Sequence, residues 1–159
     1  MVGTKEERRG IIKHGSKMIQ AVTNCTVPKI TLRIGASFGA GEYGMAGRSF
    51  DPRFLFSWPN NKLSVMGGEQ AGRTMSQVAV ESAKRRGEEP NMEMIKAIEQ
   101  KIIDTYKEEG EALFATARIW DDGIIDPRDT RKILGECLNI VCDSKKRDLR
   151  PNSFGVGRM

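Results

Sequence analysis

The sequence predicts a mixed α/β fold, and three observations carry that prediction. A short run rich in branched residues, Lys29 to Ile34, reads as a buried strand. A loop with glycines at 35, 39, 41, 44 and 47 follows it. The order along the chain then runs helix, strand, loop, strand, strand and finally helices, which is an α/β layout. Three recognisable strands are too few for a self-sufficient sheet, and the first helix is amphipathic and wants a sheet behind it. The chain therefore reads as a piece of a larger subunit or a truncated gene product.

Thr4 followed by Glu7 fits a capping box, so the first helix is predicted to start there. Ile11, Gly15, Met18, Ile19 and Val22 fall on one face at helical spacing, and Asn24 to Pro28 ends that helix. A short helix is predicted near Glu42 to Ala46. Phe54 to Phe56 form a second strand, ended by Trp58-Pro59-Asn60-Asn61, and Leu63 to Met66 form a third. The long helix after Gly68 has Ala71, Met75, Val78, Ala79 and Ser82 on its predicted inner face. Pro90 marks a linker, and the next helix shows Ile95, Ile98, Ile102 and Tyr106 on one side. Glu111 to Ala117 reads as another helical piece, and Asp121 to Ile125 as a turn and short strand. Asp126-Pro127 signals a helix start, with Asp as N-cap and Pro at the first helical position. Leu134, Cys137, Leu138 and Val141 form the apolar stripe of that last helix. The domain prediction is one unit over 1–144 and an extended tail over 145–159, with no internal repeat.

Composition narrows the function classes. The 159 residues are 38% hydrophobic and 30% charged, with a net charge of +5. The charges alternate in sign along the helices, which reads as solvated faces with at most a mild pull on anionic ligands. Aromatic residues are few and are not interleaved with basic ones, which argues against nucleic acid. No apolar run approaches membrane-spanning length, and the polar N-terminus carries no secretory pattern. Three cysteines, 25, 137 and 142, with a single histidine, His14, offer no metal-ligand spacing. The odd count suits a reducing compartment, with each cysteine as a small buried apolar residue.

The glycine loop carries the chemistry. Glycine stands where backbone must approach a partner closely, and main-chain N–H groups held in place can stabilise an oxygen as it gains negative charge. With one histidine and no nucleophile motif, the chain is expected to supply oxyanion-binding backbone and not a reactive side chain. Gly67-Gly68, opening the long helix, is either a second ligand contact or a close helix packing point. Phe38, Tyr43, Phe56 and Trp58 are candidate walls of a pocket, core packing being preferred for all but Phe38. Asp121, Asp122 and Asp126 are read as turn and cap residues, Arg48 and Arg53 as partners in structural ion pairs, and His14 as a surface residue.

Four ordered blocks carry a resemblance. They are Gly39-Ala40-Gly41-Glu42-Tyr43-Gly44-Met45-Ala46-Gly47-Arg48; Phe54 to Asn60 joined to Ser64 to Ala71; Ala117 to Pro127; and the ending Phe154-Gly155-Val156-Gly157-Arg158-Met159. Together they resemble the carboxyltransferase (β) subunits of biotin-dependent acyl-CoA carboxylases, most of all the methylcrotonoyl-CoA carboxylase β chains. Propionyl-CoA and geranyl-CoA carboxylase relatives come next.

The resemblance implies a crotonase-like fold, incomplete here at its N-terminus, corresponding to the second, biotin-side domain of such subunits. It implies carboxyl transfer from carboxybiotin, carried on a biotin carboxylase/biotin carrier α subunit, to an acyl-CoA bound by a domain missing from this chain. It also implies a hexameric ring. The favoured acyl group is 3-methylcrotonyl, with propionyl or geranyl as alternatives. The location would be cytoplasmic in a bacterium and the mitochondrial matrix in a eukaryote. In the family, biotin's own nitrogen can take the substrate proton, so no side-chain base is needed. The biotin-side oxyanion contact maps onto the Ala40–Gly41 peptide, with Phe38, Gly39, Gly67 and Gly68 as binding residues. Two positions depart from the pattern. Glu42 stands where an uncharged Asn is expected, and would have to point away from the anion or pair with Arg48. Ala46 stands where Cys is common.

Two rivals remain. An enoyl-CoA hydratase or isomerase would need a carboxylate acid/base pair beside the loop, for which Glu42 is the nearby candidate. A truncated subunit could bind carboxylase partners without catalysing anything, and an isolated fragment is expected to be inactive in the full reaction.

Overall fold

The computed structural model describes residues 3–39 and 41–146. The chain divides into two compact units, residues 1–126 and 127–159.

The first unit begins with helix α1 (Thr4–Arg8) and helix α2 (Ile11–Asn24), separated by Gly10 in the left-handed conformation. Thr4 is the first helical residue and not the cap. Gly3 takes the cap position with no side-chain bond, so the predicted capping box does not form. On α2 the predicted stripe is half-covered at Ile11, Gly15, Ile19 and Val22, while Met18 is 50% exposed.

Four strands follow: β1 (Ile30–Arg33), β2 (Ala36–Phe38), β3 (Phe54–Ser57) and β4 (Lys62–Ser64). They pair as two parallel ladders, β1 with β3 from Ile30↔Phe54 to Arg33↔Ser57, and β2 with β4 from Ala36↔Lys62 to Phe38↔Ser64. Each of the two chain stretches thus runs straight, bends and runs straight again, beside a copy of the same path. The bend is stitched by Trp58 N–H to Arg33 O at 2.9 Å, Lys62 N–H to Gly35 O at 3.2 Å and Asn60 Nδ2 to Ile34 O at 3.0 Å. β2 falls inside the stretch that sequence reasoning left as loop. The doubled strand–bend–strand path is a repeat of backbone without a repeat of side chains.

Each ladder gains a further partner from later in the chain. Ser57 bridges to Ile124 in parallel, and Lys62 to Glu111 in antiparallel sense. Leu55, 2% exposed, is the best buried apolar residue of β3. Helix α3 (Gly41–Gly44) and one 3-10 turn (Arg48–Phe50) fill the connection between β2 and β3.

Helices α4 (Gly68–Arg85) and α5 (Met92–Glu109) form an antiparallel hairpin, with Asn91 capping α5 through its side chain to the Met94 N–H at 3.1 Å. The α4 face that meets α5 is made of small residues. A Cβ on Gly68 would lie 3.1 Å from Tyr106 Cβ, and one on Gly72 3.0 Å from Glu99 Cγ, while Ser76 Oγ donates to Glu99 at 2.6 Å. The predicted inner face is corrected accordingly: Ala71 is buried, but Met75 and Val78 are about half exposed (50% and 53%). On α5, Ile95 is buried and Ile102 and Tyr106 half-buried as expected, whereas Ile98 faces solvent and Glu99 faces α4.

Gly110 ends α5 and accepts the Leu63 N–H at 2.8 Å, which joins the hairpin to β4. A Cβ on Gly110 would sit 2.7 Å from the Tyr106 carbonyl oxygen, a backbone atom that no rotamer change can move aside. Gly110→Ala is therefore expected to destabilise by about 1–3 kcal/mol. Gly15→Ala, in the interior of α2 with nothing within 4 Å of the new methyl group, is expected to stabilise by about 0.5–1 kcal/mol. Chemical denaturation of the two variants checks the contrast, and equal midpoints would contradict it.

The unit closes with helix α6 (Ala112–Ala117) and the turn at Asp121–Asp122, after which Ile124 joins the β3 edge. In the second unit, a 3-10 turn (Pro127–Asp129) runs into helix α7 (Thr130–Ser144), so the helical start at Pro127 is as predicted. Cys137 and Val141 are buried, Leu134 is half-buried and Leu138 is exposed. Cys25 and Cys142 are exposed, against the expectation that each cysteine would be buried. Of the predicted tail, residues 147–159 lie outside the described residues, as does the sequence block Phe154 to Met159. No helix among the described residues is long and apolar enough to cross a membrane.

Candidate functional site

The glycine loop leaves the end of the second ladder. Gly39 N–H donates to Ser64 O at 3.1 Å, the last rung on that side. Gly39 has φ +71°, and a Cβ there would lie 3.2 Å from Val65 O, so both conformation and space call for glycine. Ala40 lies outside the described residues. Gly41 opens α3 and is exposed, with nothing within 4 Å of its missing Cβ. Its N–H has no acceptor among the described residues, whereas the next amide, Glu42 N–H, turns back to Gly39 O at 3.3 Å. Of these amides, then, Gly39 is committed to the ladder and Gly41 is not.

Phe38, 43% exposed, is the residue before Gly39 and stands opposite Ser64 in the ladder. Val65 and Met66 continue the neighbouring strand and are also exposed (75% and 37%), so the loop sits in an apolar surround. Gly67 is the N-cap position of α4 and its Cβ site is open apart from Gln70 Oε1 at 4.0 Å. Gly68 is accounted for by its contact with α5. Tyr43 is 44% exposed and meets Phe50 edge to face at 5.4 Å, which corrects the expectation that it is core. Phe56 and Trp58 are half-buried, Phe56 stacking on Phe54 at 6.2 Å. His14 is on the exposed side of α2.

The departing residue Glu42 pairs with Arg33, not Arg48. The Arg33 Nη2 donates to Glu42 Oε1, and the side chains are 5% and 19% exposed. Arg48 instead donates through Nη1 to the Ile119 carbonyl. Neither Arg48 nor Arg53 forms an ion pair among the described residues, so that expectation is corrected.

Sequence reasoning missed a buried polar line beneath the loop. Arg33, Ser57, Asn61 and Asp121 are the buried polar residues of the described chain, at 6%, 0%, 1% and 5% exposure. Ser57 stands opposite Arg33 on the ladder. Its Oγ donates to Asp121 Oδ2 at 2.8 Å and receives Asn61 Nδ2 at 3.5 Å, and Thr116 Oγ1 donates to Asp121 Oδ1 at 2.5 Å. Asp122 Oδ2 takes the Leu55 N–H at 2.8 Å. Asp121 and Asp122 thus tie the turn to β3, as their reading as turn residues expected. Among the described residues no three His, Cys, Asp or Glu side chains are grouped to hold a metal ion.

Among the described residues the loop thus presents a Gly41 N–H with no acceptor, with the exposed Phe38 at the end of the strand that leads into it. The family model described as the carboxyl transferase domain matches residues 1–155. The chain belongs to the carboxyl transferase family. It is 46% identical over all 159 residues to the mitochondrial methylcrotonoyl-CoA carboxylase beta chain of Arabidopsis thaliana, of which it spans 27%. Among solved structures, the beta subunit of Pseudomonas aeruginosa geranyl-CoA carboxylase superposes with a TM-score of 0.86 at 49% identity, covering 100% of this chain and 30% of that one. The transcarboxylase 12S subunit, described as a hexamer assembly with hydrolysed methylmalonyl-coenzyme A bound, superposes with a TM-score of 0.73 at 28% identity, covering 99% of this chain and 28% of that one. The fold expectation, a crotonase-like carboxyltransferase fold, holds. As a carboxyl transferase chain, it spans less than a third of the length of these relatives.

Proposed function

We propose that this chain forms the biotin-side part of a carboxyltransferase centre in a biotin-dependent acyl-CoA carboxylase. The carboxyl group would pass from carboxybiotin, borne by a biotin carboxylase/biotin carrier α subunit, to an acyl-CoA held by a domain outside this chain. 3-Methylcrotonyl-CoA is the favoured acceptor, with propionyl-CoA or geranyl-CoA as alternatives, in a ring-shaped homo-oligomer. The setting would be the mitochondrial matrix in a eukaryote and the cytoplasm in a bacterium.

The observation that carries this reading is the N–H of the exposed Gly41, which has no acceptor among the described residues, at the end of a ladder that uses up the Gly39 N–H. Biotin, when bound, supplies the carboxyl group and the nitrogen that holds it. The chain's own part is to donate the Gly41 N–H to the ureido oxygen as that oxygen gains charge. The donor is fixed in advance, so no reorganisation is needed when the charge appears. Phe38 would cover one side of the ring system and exclude water. Gly67 has the space to admit a ligand, while Gly68 serves helix packing.

The hydratase or isomerase reading is weakened by Glu42. Its carboxylate is held by Arg33 and so is not the free acid/base that reaction needs. A titration of the isotope-labelled chain with biocytin, the biotin–lysine conjugate, tests the proposal. Saturable shifts of the Gly41 amide and Phe38 ring signals are expected. Shifts confined to other surfaces, or none, would sink it.

A further inference from the structure

Glu42 carries a full negative charge one residue from the free donor at Gly41, where a developing oxyanion would be repelled by it. Its environment shows how that charge is handled. The carboxylate meets the buried guanidinium of Arg33, which sits at the end of β1 with its side chain 5% exposed. Arg33 Nε and Nη1 have no hydrogen-bond partner among the described residues, so Glu42 is the counter-charge these residues give a buried cation. The Glu42 side chain folds over Gly47, where a Cβ would lie 2.3 Å from Glu42 Cγ. The Glu42 carbonyl in turn takes the Met45 N–H at 3.1 Å and the Gly47 N–H at 3.0 Å. One residue therefore ties the turn after Gly41 to the ladder by its side chain and closes that turn by its backbone.

We propose that the Arg33–Glu42 pair is a positioning device for the Gly41 donor: it turns the acidic charge inward, neutralises it, and anchors the turn that follows Gly41. This rests on the reading of Gly41 as the oxyanion donor. Arg33 suits the role because its backbone is locked in the β1–β3 ladder opposite Ser57, whose side chain is bound to Asp121. The anchor is thus rigid at its root. Glu42 and Arg33 touch no substrate in this scheme and act only through Gly41.

The test uses the whole chain and two measurements. Hydrogen exchange without ligand reads whether the turn is held, and biocytin titration reads whether the donor is presented. In Glu42→Gln, which keeps the volume and removes the charge, protection of the Met45 and Gly47 amides is expected to fall by about tenfold or more relative to the β3 amides. Biocytin affinity is expected to fall by about tenfold with it. Arg33→Lys keeps a cation without the planar fork and is expected to lie between wild type and Glu42→Gln in both measurements. Unchanged protection in Glu42→Gln overturns the inference, as does lowered protection with wild-type affinity, which would make the pair a fold element alone. A wild-type chain that ignores biocytin sinks the proposed function itself. That failure is distinguishable, because exchange is read with no ligand present.

Discussion

Gly41→Pro should lower carboxyl transfer by the assembled carboxylase containing this chain about 100- to 1,000-fold, while Gly41→Ala should leave it within a few-fold of wild type. The two variants differ in one atom that matters. Alanine retains the N–H and finds nothing within 4 Å of its methyl group. Proline removes the N–H and nothing else the helix needs, because Gly41 is the first residue of α3, where an amide has no partner inside the helix and proline is tolerated. The fold-change corresponds to about 2.7–4 kcal/mol of barrier, the size found when one preorganised donor is lost. Melting of both variants separates a chemical effect from a folding one. Equal rates for the proline and alanine variants, with equal melting, would remove Gly41 from the mechanism.

The largest effect on stability is expected at Asp121. Asp121→Ala should cost about 3–5 kcal/mol, read as a lower denaturation midpoint at unchanged slope. The carboxylate is 5% exposed and takes bonds from Ser57 Oγ at 2.8 Å and Thr116 Oγ1 at 2.5 Å. Its removal strands the hydroxyl of Ser57, which is fully buried, and charge-assisted bonds in such places are worth more than neutral ones. Asp121→Asn, which can still accept, should recover part of the loss. A cost below about 1 kcal/mol for the alanine variant would mean that the buried line contributes little.

The elements that sequence reasoning reached are those whose signal is local. Branched residues at 30–34 marked β1, Pro127 marked the start of the last helical segment, and the blocks around Gly39 and Trp58 carried the family. The misses share a different cause. Met75 and Val78 were assigned inward on hydrophobicity, yet α4 meets α5 through Gly68, Gly72 and Ser76, where closeness of approach outweighs side-chain area. β2 was hidden because flanking glycines read as loop, and its pairing with residues 62–64 is a long-range fact that no window reveals. Glu42 was correctly suspected of needing a counter-charge, but the partner lies nine residues back in a strand, where an arginine is not expected to be inside. Of the site, the glycines were legible; the polar line beneath them was not, since serine, asparagine and aspartate are ordinary turn residues until the turn is folded against a strand.

That buried line also bears on how the chain finds its alignment. β1 to β4 are only three or four residues long, and β1 has no fully buried apolar residue to prefer one pairing over its neighbour. Sliding β3 by one position would put Phe56 in place of Ser57 opposite Arg33 and move the buried polar group tied to Ser57 out of step with β1. Polar specificity, and not oil, thereby selects one arrangement from several of similar apolar burial. A variant that replaced the whole line with aliphatic residues could keep its melting temperature and still misalign, delivering the glycine turn to the wrong place.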